Sequence, residues 1–145
     1  MVVERLLKHG HEAVVYDNLS KGHRAAVAPE AAFVAGDLRD SDQLLRTLDD
    51  HKIEAVIHMA ADSLVGESVA DPLKYFNHNT GGAMSLLSAM LKVGIKRIVQ
   101  SSTAATYGAP ETMPITEETP QLPTNPYGET KLMIEKMLHW CDAAY

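Results

Sequence analysis

Short apolar runs alternate with amphipathic segments along the chain, and this alternation predicts a strand–helix repeat. Continuously apolar runs that end in polar or small residues are typical of buried strands. Four such runs occur, at residues 13–17, 32–35, 53–59 and 96–101. Apolar positions with helical spacing predict helices at residues 2–9, 41–50 and 72–92 and from about residue 126 onward.

This order predicts an α/β fold with a doubly wound parallel sheet covered by helices on both faces. Ligands of such sheets bind at the carboxyl ends of the strands. Asp17, Asp37, residues 59–61 and residues 101–103 all occupy predicted strand ends. We therefore expect these residues to converge on one crevice.

Composition narrows the possible functions. The 145 residues carry a net charge of −6 without a basic cluster, which argues against a nucleic-acid partner. Cys141 is the only cysteine, so no internal disulfide can form and a cytoplasmic location is expected. No apolar run is long enough to span a membrane, and the seven histidines show no metal-ligand spacing, so neither a membrane nor a metal site is predicted.

Tyr127 and Lys131 are four residues apart in the last predicted helix and therefore lie on one face, one turn apart. An ammonium near a phenol favours the phenolate, which could act as a base near neutral pH. An isolated pair of this kind is more often an ordinary surface pair. The hydroxyl residues at the end of the fourth strand, which include Thr103, make a catalytic pair the better interpretation.

Asp17 suits the acid that binds the adenosine ribose in dinucleotide-binding sheets. That acid follows the Gly-rich phosphate turn by about 20 residues, a distance that extends past Met1. We therefore expect the chain to be a fragment that lacks the first strand and its Gly-rich turn; the alternative is a variant sheet without this strand. An acid at Asp17 also repels a 2′-phosphate, which favours NAD over NADP.

Motifs along nearly the whole chain resemble those of the extended short-chain dehydrogenase/reductase superfamily and, within it, the UDP-glucose 4-epimerase family. The matching segments are residues 17–19, 36–39, 55–61, 65–68, 72–75, 101–108, 114–117, 125–128 and 131–133. The resemblance implies a Rossmann-like NAD-binding domain, an NAD cofactor and a UDP-sugar substrate. It also implies interconversion of UDP-glucose and UDP-galactose, in galactose metabolism, through a 4-keto sugar that is re-reduced on its other face.

The resemblance also implies roles for individual residues. Tyr127 would take the proton of the sugar 4-hydroxyl, Lys131 would favour its phenolate and hold the nicotinamide ribose, and Thr103 would bridge the 4-oxygen and the tyrosine. Further cofactor contacts would come from the strand ends and the loops that follow them. These residues are Asp17, Asn18, Asp37, Leu38, Met59, Ala60, Ala61 and Ser63.

Departures from the family pattern leave alternatives open. Ser63 replaces a common lysine and His78 a common asparagine, so two polar contacts differ; a lone helical histidine is more often structural, and we leave His78 out of the catalytic set. Ala104 and Ala105 stand where the related 4,6-dehydratases carry an Asp-Glu pair, which argues against elimination chemistry. A 4-epimerase for a UDP-pentose or a UDP-N-acetylhexosamine stays possible.

The resemblance implies more protein than these 145 residues. Residues 1–145 would form a partial NAD-binding domain, and a C-terminal sugar-nucleotide-binding domain would be absent from this chain. We expect the chain alone to be inactive and poorly folded. The family commonly forms homodimers through helices that include the long central helix and the last one. Leu87, Met90, Leu132 and Met137 could belong to such a face, although core burial would explain them equally well.

Overall fold

Four strands form two separate parallel pairs in the computed structural model, which describes residues 1–145. Strand β1 (Val14–Asp17) pairs with β2 (Ala32–Ala35), and β3 (Val56–His58) pairs with β4 (Ile98–Gln100). The parallel α/β class is thus confirmed. The two pairs are not hydrogen-bonded to each other within this chain.

Six helices and two short 3-10 turns connect the strands. The helices are α1 (Val2–Lys8), α2 (Ser41–Asp50), α3 (Val65–Ala70), α4 (Pro72–Tyr75), α5 (Gly82–Val93) and α6 (Pro126–Ala144). The 3-10 turns are Arg24–Ala26 and Ala104–Tyr107, and a wider π-helical segment, Phe76–Gly81, joins α4 to α5. None of these helices is both long enough and apolar enough to cross a membrane.

Polar side chains define where three of the helices begin. Asp40 accepts a hydrogen bond from the Gln43 amide at the start of α2, and Asn125 does the same for Gly128 at the start of α6. Asp71 caps α4, whose first residue is proline. Such caps satisfy amides that have no partner inside the helix. The first turn of α6, which carries Tyr127, is therefore fixed by local hydrogen bonds.

The largest apolar core lies between α2 and α5, which pack against each other. Its buried residues are Leu44, Leu48, Leu86, Ala89, Met90 and Ile95. The strands contribute Tyr16, Val56 and Ile98, which are only partly buried. The strands are thus less buried than their apolar sequences predict. They have only one neighbour each, so part of their surface stays open.

Two local features were not predicted. Residues 65–70 form α3, which no side chain caps but which packs against α4 and α6. The predicted helix over 72–92 exists, but its π-helical segment changes the helical period. Leu73 is consequently exposed, whereas Tyr75 and Asn79 are buried.

Candidate active site

A cleft of about 240 Å³ lies where β1, β2 and β3 end. Seven of the predicted cofactor residues line it. They are Asp17, Asn18, Asp37, Leu38, Met59, Ala60 and Ala61. The carboxyl ends of parallel strands meet at one edge of a sheet, which explains why residues so distant in sequence share this wall.

Asp17 and Asn18 are held by the turn that follows β1. One carboxylate oxygen of Asp17, Oδ1, accepts the Leu19 amide at 2.7 Å, and the Asn18 carbonyl Oδ1 accepts the Ser20 amide at 3.0 Å. The other oxygen of Asp17 has no hydrogen-bond partner within the chain. A Cβ atom at Gly22 would lie 3.3 Å from both Asp17 oxygens. The glycine therefore leaves a space beside a carboxylate that can accept a ligand hydroxyl.

Asp37, which follows β2, lines the same cleft. Arg39 donates to both of its carboxylate oxygens, at 2.8 and 2.7 Å, and Asn18 Nδ2 donates to Oδ2 at 3.1 Å. The hydrogen bonds from Arg39 hold the pKa of Asp37 well below its usual range. The carboxylate thus orders the cleft wall.

Lys131 is buried in the first half of α6, and its ammonium Nζ donates to the Ser101 carbonyl at the end of β4 at 2.8 Å. Burial lowers the pKa of Lys131. Only one of the three ammonium protons is used in this bond, which leaves donors for a ligand. The hydroxyl of Tyr127 makes no hydrogen bond within the chain, and Thr103 Oγ1 accepts the Ala105 amide at 3.2 Å.

The predicted catalytic residues are not among the residues that line the cleft, and neither is Ser63, which was predicted to contact the cofactor. These catalytic residues are Thr103, Tyr127 and Lys131. Thr103 immediately precedes the 3-10 turn Ala104–Tyr107, and this turn packs against α6. The two hydroxyl groups therefore belong to elements in direct contact.

We expect Gly128→Ala to disturb this contact. A Cβ atom at Gly128 would lie 2.5 Å from the Ala105 carbonyl oxygen, so α6 and the 3-10 turn would have to separate. Overpacking of this kind costs about 1–3 kcal/mol, and we expect urea unfolding to show that loss. Gly66→Ala is the control, because nothing lies within 4 Å of the added methyl in α3. Equal stabilities of the two variants would contradict the close approach.

The cleft wall contains polar residues to which the sequence assigned no role, among them Asp62, His78 and Asn79. His78 Nδ1 lies 2.7 Å from Asp62 Oδ2, and the amide of buried Asn79 bonds both backbone groups of Asp62. Asp62 could have been found, because it directly follows Ala61 at the end of a strand. His78 and Asn79 gave no such signal, because their exposure depends on the π-helical segment that contains them.

His58 lies at the end of β3 with 4% of its surface exposed. Its Nε2 atom has no hydrogen-bond partner. Burial, with a smaller contribution from the Lys131 charge, lowers the pKa of His58 from 6.5 to about 4. The unfolded chain therefore binds a proton in this range that the folded chain does not. Stability is unaffected above pH 6.5 and falls as the pH drops toward 4.

We expect the free energy of unfolding to fall by about 3 kcal/mol across this window on account of His58. Urea unfolding between pH 7 and pH 4 measures it. His58→Gln should flatten this part of the profile, whereas the same change at exposed His11 should leave it intact. An unchanged slope in His58→Gln would show that other groups cause the acid sensitivity.

Comparisons with known proteins agree with this geometry. A model of the NAD dependent epimerase/dehydratase family matches residues 1–145. A UDP-glucose 4-epimerase from Lacticaseibacillus casei is 56% identical over 143 residues, which are 99% of this chain and 43% of that protein. The chain thus spans less than half the length of this relative.

Solved structures give the same match. A UDP-glucose 4-epimerase from Brucella ovis in complex with NAD superposes with a TM-score of 0.96 at 46% identity, over 99% of this chain and 44% of that one. A UDP-glucose 4-epimerase from Thermotoga maritima, solved with UDP-glucose, has a TM-score of 0.92 at 32% identity, over 96% of this chain and 46% of that one.

Proposed function

The chain belongs to the NAD dependent epimerase/dehydratase family, and from this premise we propose that the full-length protein interconverts UDP-glucose and UDP-galactose. The sugar would be oxidised at C4, turn over in the site as a 4-keto sugar, and be reduced on its other face. The observation that carries the proposal is the cleft at the strand ends, whose wall residue Asn79 hydrogen-bonds to α6, the helix that carries Tyr127 and Lys131. The identity to UDP-glucose 4-epimerases supports the choice of reaction.

The cleft suits the adenosine half of NAD. The unpartnered Asp17 oxygen can accept a ribose hydroxyl, the space beside Gly22 leaves room for the ribose, and Asp37 and Leu38 would flank the adenine. The negative Asp17 disfavours a 2′-phosphate, and therefore NADP. When bound, NAD would accept a hydride from the sugar C4 and return it, which leaves no net oxidation.

Residues of this chain would transfer the proton of the sugar 4-hydroxyl and stabilise the charges that form. Tyr127, as the phenolate, would remove the proton of the 4-hydroxyl and return it after reduction. Lys131 would stabilise this phenolate and donate to the nicotinamide ribose, and Thr103 would donate toward the charge that develops on the 4-oxygen. Met59, Ala60, Ala61 and Ser63 would line the path beneath the cofactor.

We further propose that residues 1–145 form part of an NAD-binding domain. In the full-length protein a further strand, followed by a Gly-rich turn, would join the two strand pairs, and a C-terminal domain would bind the sugar nucleotide. The separation of the pairs and the 43% coverage of the L. casei relative support this arrangement. The isolated 145 residues would then lack activity. A cytoplasmic location is proposed on the free Cys141.

A homodimer is proposed through exposed apolar side chains of α4 and α5. Met84 and Leu91 in α5 are seven residues apart, close to two helical turns, and Leu73 lies in α4. All three are exposed. Met90 and Leu132, which sequence analysis considered for such a face, are buried in the core instead. The exposed stripe is therefore the better candidate for the interface.

The experiment that tests the function is an assay of the purified full-length protein with UDP-galactose. We expect UDP-glucose as the product and no accumulation of NADH. UDP-N-acetylgalactosamine and a UDP-pentose, assayed in parallel, decide between this substrate and the other UDP-sugars. Turnover of UDP-N-acetylgalactosamine or of the UDP-pentose without turnover of UDP-galactose would refute the proposed substrate. No turnover of any of the three would refute the reaction.

A further inference from the structure

The loop that follows β3 is held from one side by two buried residues of the next helical stretch. Residues 60–62 of this loop line the cleft. Tyr75, at the end of α4, and Asn79, in the π-helical segment, are 0% and 1% exposed. The Tyr75 hydroxyl lies within hydrogen-bond distance of the backbone N–H and carbonyl of Leu64. The Asn79 side-chain amide bonds the same two backbone groups of Asp62.

Tyr75 fixes the far end of the loop. Its hydroxyl accepts the Leu64 amide at 3.0 Å and can donate to the Leu64 carbonyl at 2.8 Å or to Glu67 Oε2 at 2.9 Å. Lys74 bonds the other oxygen of Glu67 at 2.5 Å. Burial, with the hydrogen bond to Glu67, raises the pKa of Tyr75 to about 12, so the hydroxyl keeps its proton. The Tyr75 hydroxyl therefore remains a hydrogen-bond donor.

Asn79 fixes the end of the loop nearer the cleft and reaches α6 as well. Its Oδ1 accepts the Asp62 amide at 2.8 Å, while Nδ2 donates to the Asp62 carbonyl at 3.0 Å and to Thr130 Oγ1 at 3.1 Å. Thr130, which is 0% exposed, donates in turn to the Tyr127 carbonyl at 2.7 Å. A continuous chain of hydrogen bonds thus runs from the cleft wall to the backbone of Tyr127.

We propose that Asn79 and Thr130 are positioning residues that set the distance between the cofactor cleft and Tyr127, while Tyr75 holds the far end of the same loop. The inference rests on the proposed function, in which a ligand in the cleft must lie within reach of Tyr127. Misplacement of reacting groups by about 1 Å can lower a rate by as much as a hundredfold. The Asn79 amide and the Thr130 hydroxyl both have hydrogen-bond partners in this series, so removal of the Thr130 hydroxyl leaves a buried partner unsatisfied.

Thr130 offers a matched test in the full-length protein. Thr130→Val keeps the shape of the side chain but removes its hydroxyl, and Thr130→Ser keeps the hydroxyl. We expect Thr130→Val to lower kcat about tenfold, to change the KM for UDP-galactose less than about twofold, and to reduce the NAD retained through gel filtration. Thr130→Ser should restore kcat and NAD retention to near the wild-type values.

Thr47→Val controls for lost stability. Thr47 is also a buried threonine, and its hydroxyl donates to the Gln43 carbonyl in α2, away from the cleft. We expect this variant to lower Tm and to leave kcat and NAD retention unchanged. Losses of kcat and NAD in Thr47→Val equal to those in Thr130→Val would overturn the proposal. Wild-type kcat and NAD retention in Thr130→Val would overturn it too.

A double-mutant cycle tests the link between Asn79 and Thr130. Asn79→Asp removes the donor and Thr130→Val the acceptor of the same hydrogen bond, so we expect their combined effect on kcat to be smaller than the product of the single effects. An effect equal to that product would refute the coupling. If the wild-type protein retains NAD but does not epimerise, the proposed function fails, and the same cycle on NAD retention still decides the positioning role.

Discussion

Tyr127→Phe in the full-length protein should lower kcat by about 10²–10⁴-fold while NAD stays bound, because loss of a positioned base removes a contribution of that size. The change removes one oxygen atom that has no hydrogen bond within the chain, so the fold should be unaffected. Steady-state kinetics with UDP-galactose and the NAD content of the purified variant measure the two effects.

Tyr145→Phe is the control for Tyr127→Phe. Tyr145 is 66% exposed at the end of the chain, so loss of its hydroxyl should leave kcat unchanged. Turnover of Tyr127→Phe within a few-fold of the wild type would show that another group takes the proton. Loss of NAD from the variant would instead assign Tyr127 a binding role.

Lys131→Met should reduce kcat by about 10²-fold or more, since it removes a charge that is expected to stabilise the phenolate. NAD should bind more weakly, since a donor to its ribose is lost. Steady-state kinetics with UDP-galactose and NAD titration measure these effects.

The pKa of His58 gives a second, independent measure of the effect of Lys131→Met. The charge of Lys131 contributes to the low pKa of His58, so that pKa should rise in Lys131→Met, as measured by NMR titration of the imidazole. Lys136→Met, at an exposed position of the same helix, should change neither kcat nor the His58 titration. Turnover of Lys131→Met within a few-fold of the wild type would contradict the proposed role of the ammonium.

The strand-end residues were the most predictable part of the cleft. Asp17, Asp37 and residues 59–61 each follow a short apolar run, and parallel strands place their carboxyl ends along one edge. Seven of the predicted cofactor residues therefore line one cleft. Three helices also begin close to their predicted starts, and in the structure Asp40, Asp71 and Asn125 cap them.

The central helical stretch shows why sequence was less informative elsewhere. A period of 3.6 residues predicts Leu73 and Leu91 on the buried side, but they are 78% and 36% exposed. The π-helical segment interrupts that period, and tertiary hydrogen bonds then keep the polar Asn79 buried. Polarity alone would place Asn79 at the surface, so the positioning chain through Thr130 could not be read from the sequence.

The isotope content of the product tests the proposed hydride transfer at C4 most directly. The full-length protein would be incubated with UDP-galactose deuterated at C4, and the UDP-glucose formed would be examined by NMR and mass spectrometry. We expect the deuterium to be retained at C4 with its configuration inverted, because the hydride that leaves the carbon returns to it within the closed site. Replacement of the label by solvent hydrogen, or its appearance in released NADH, would contradict the proposed mechanism.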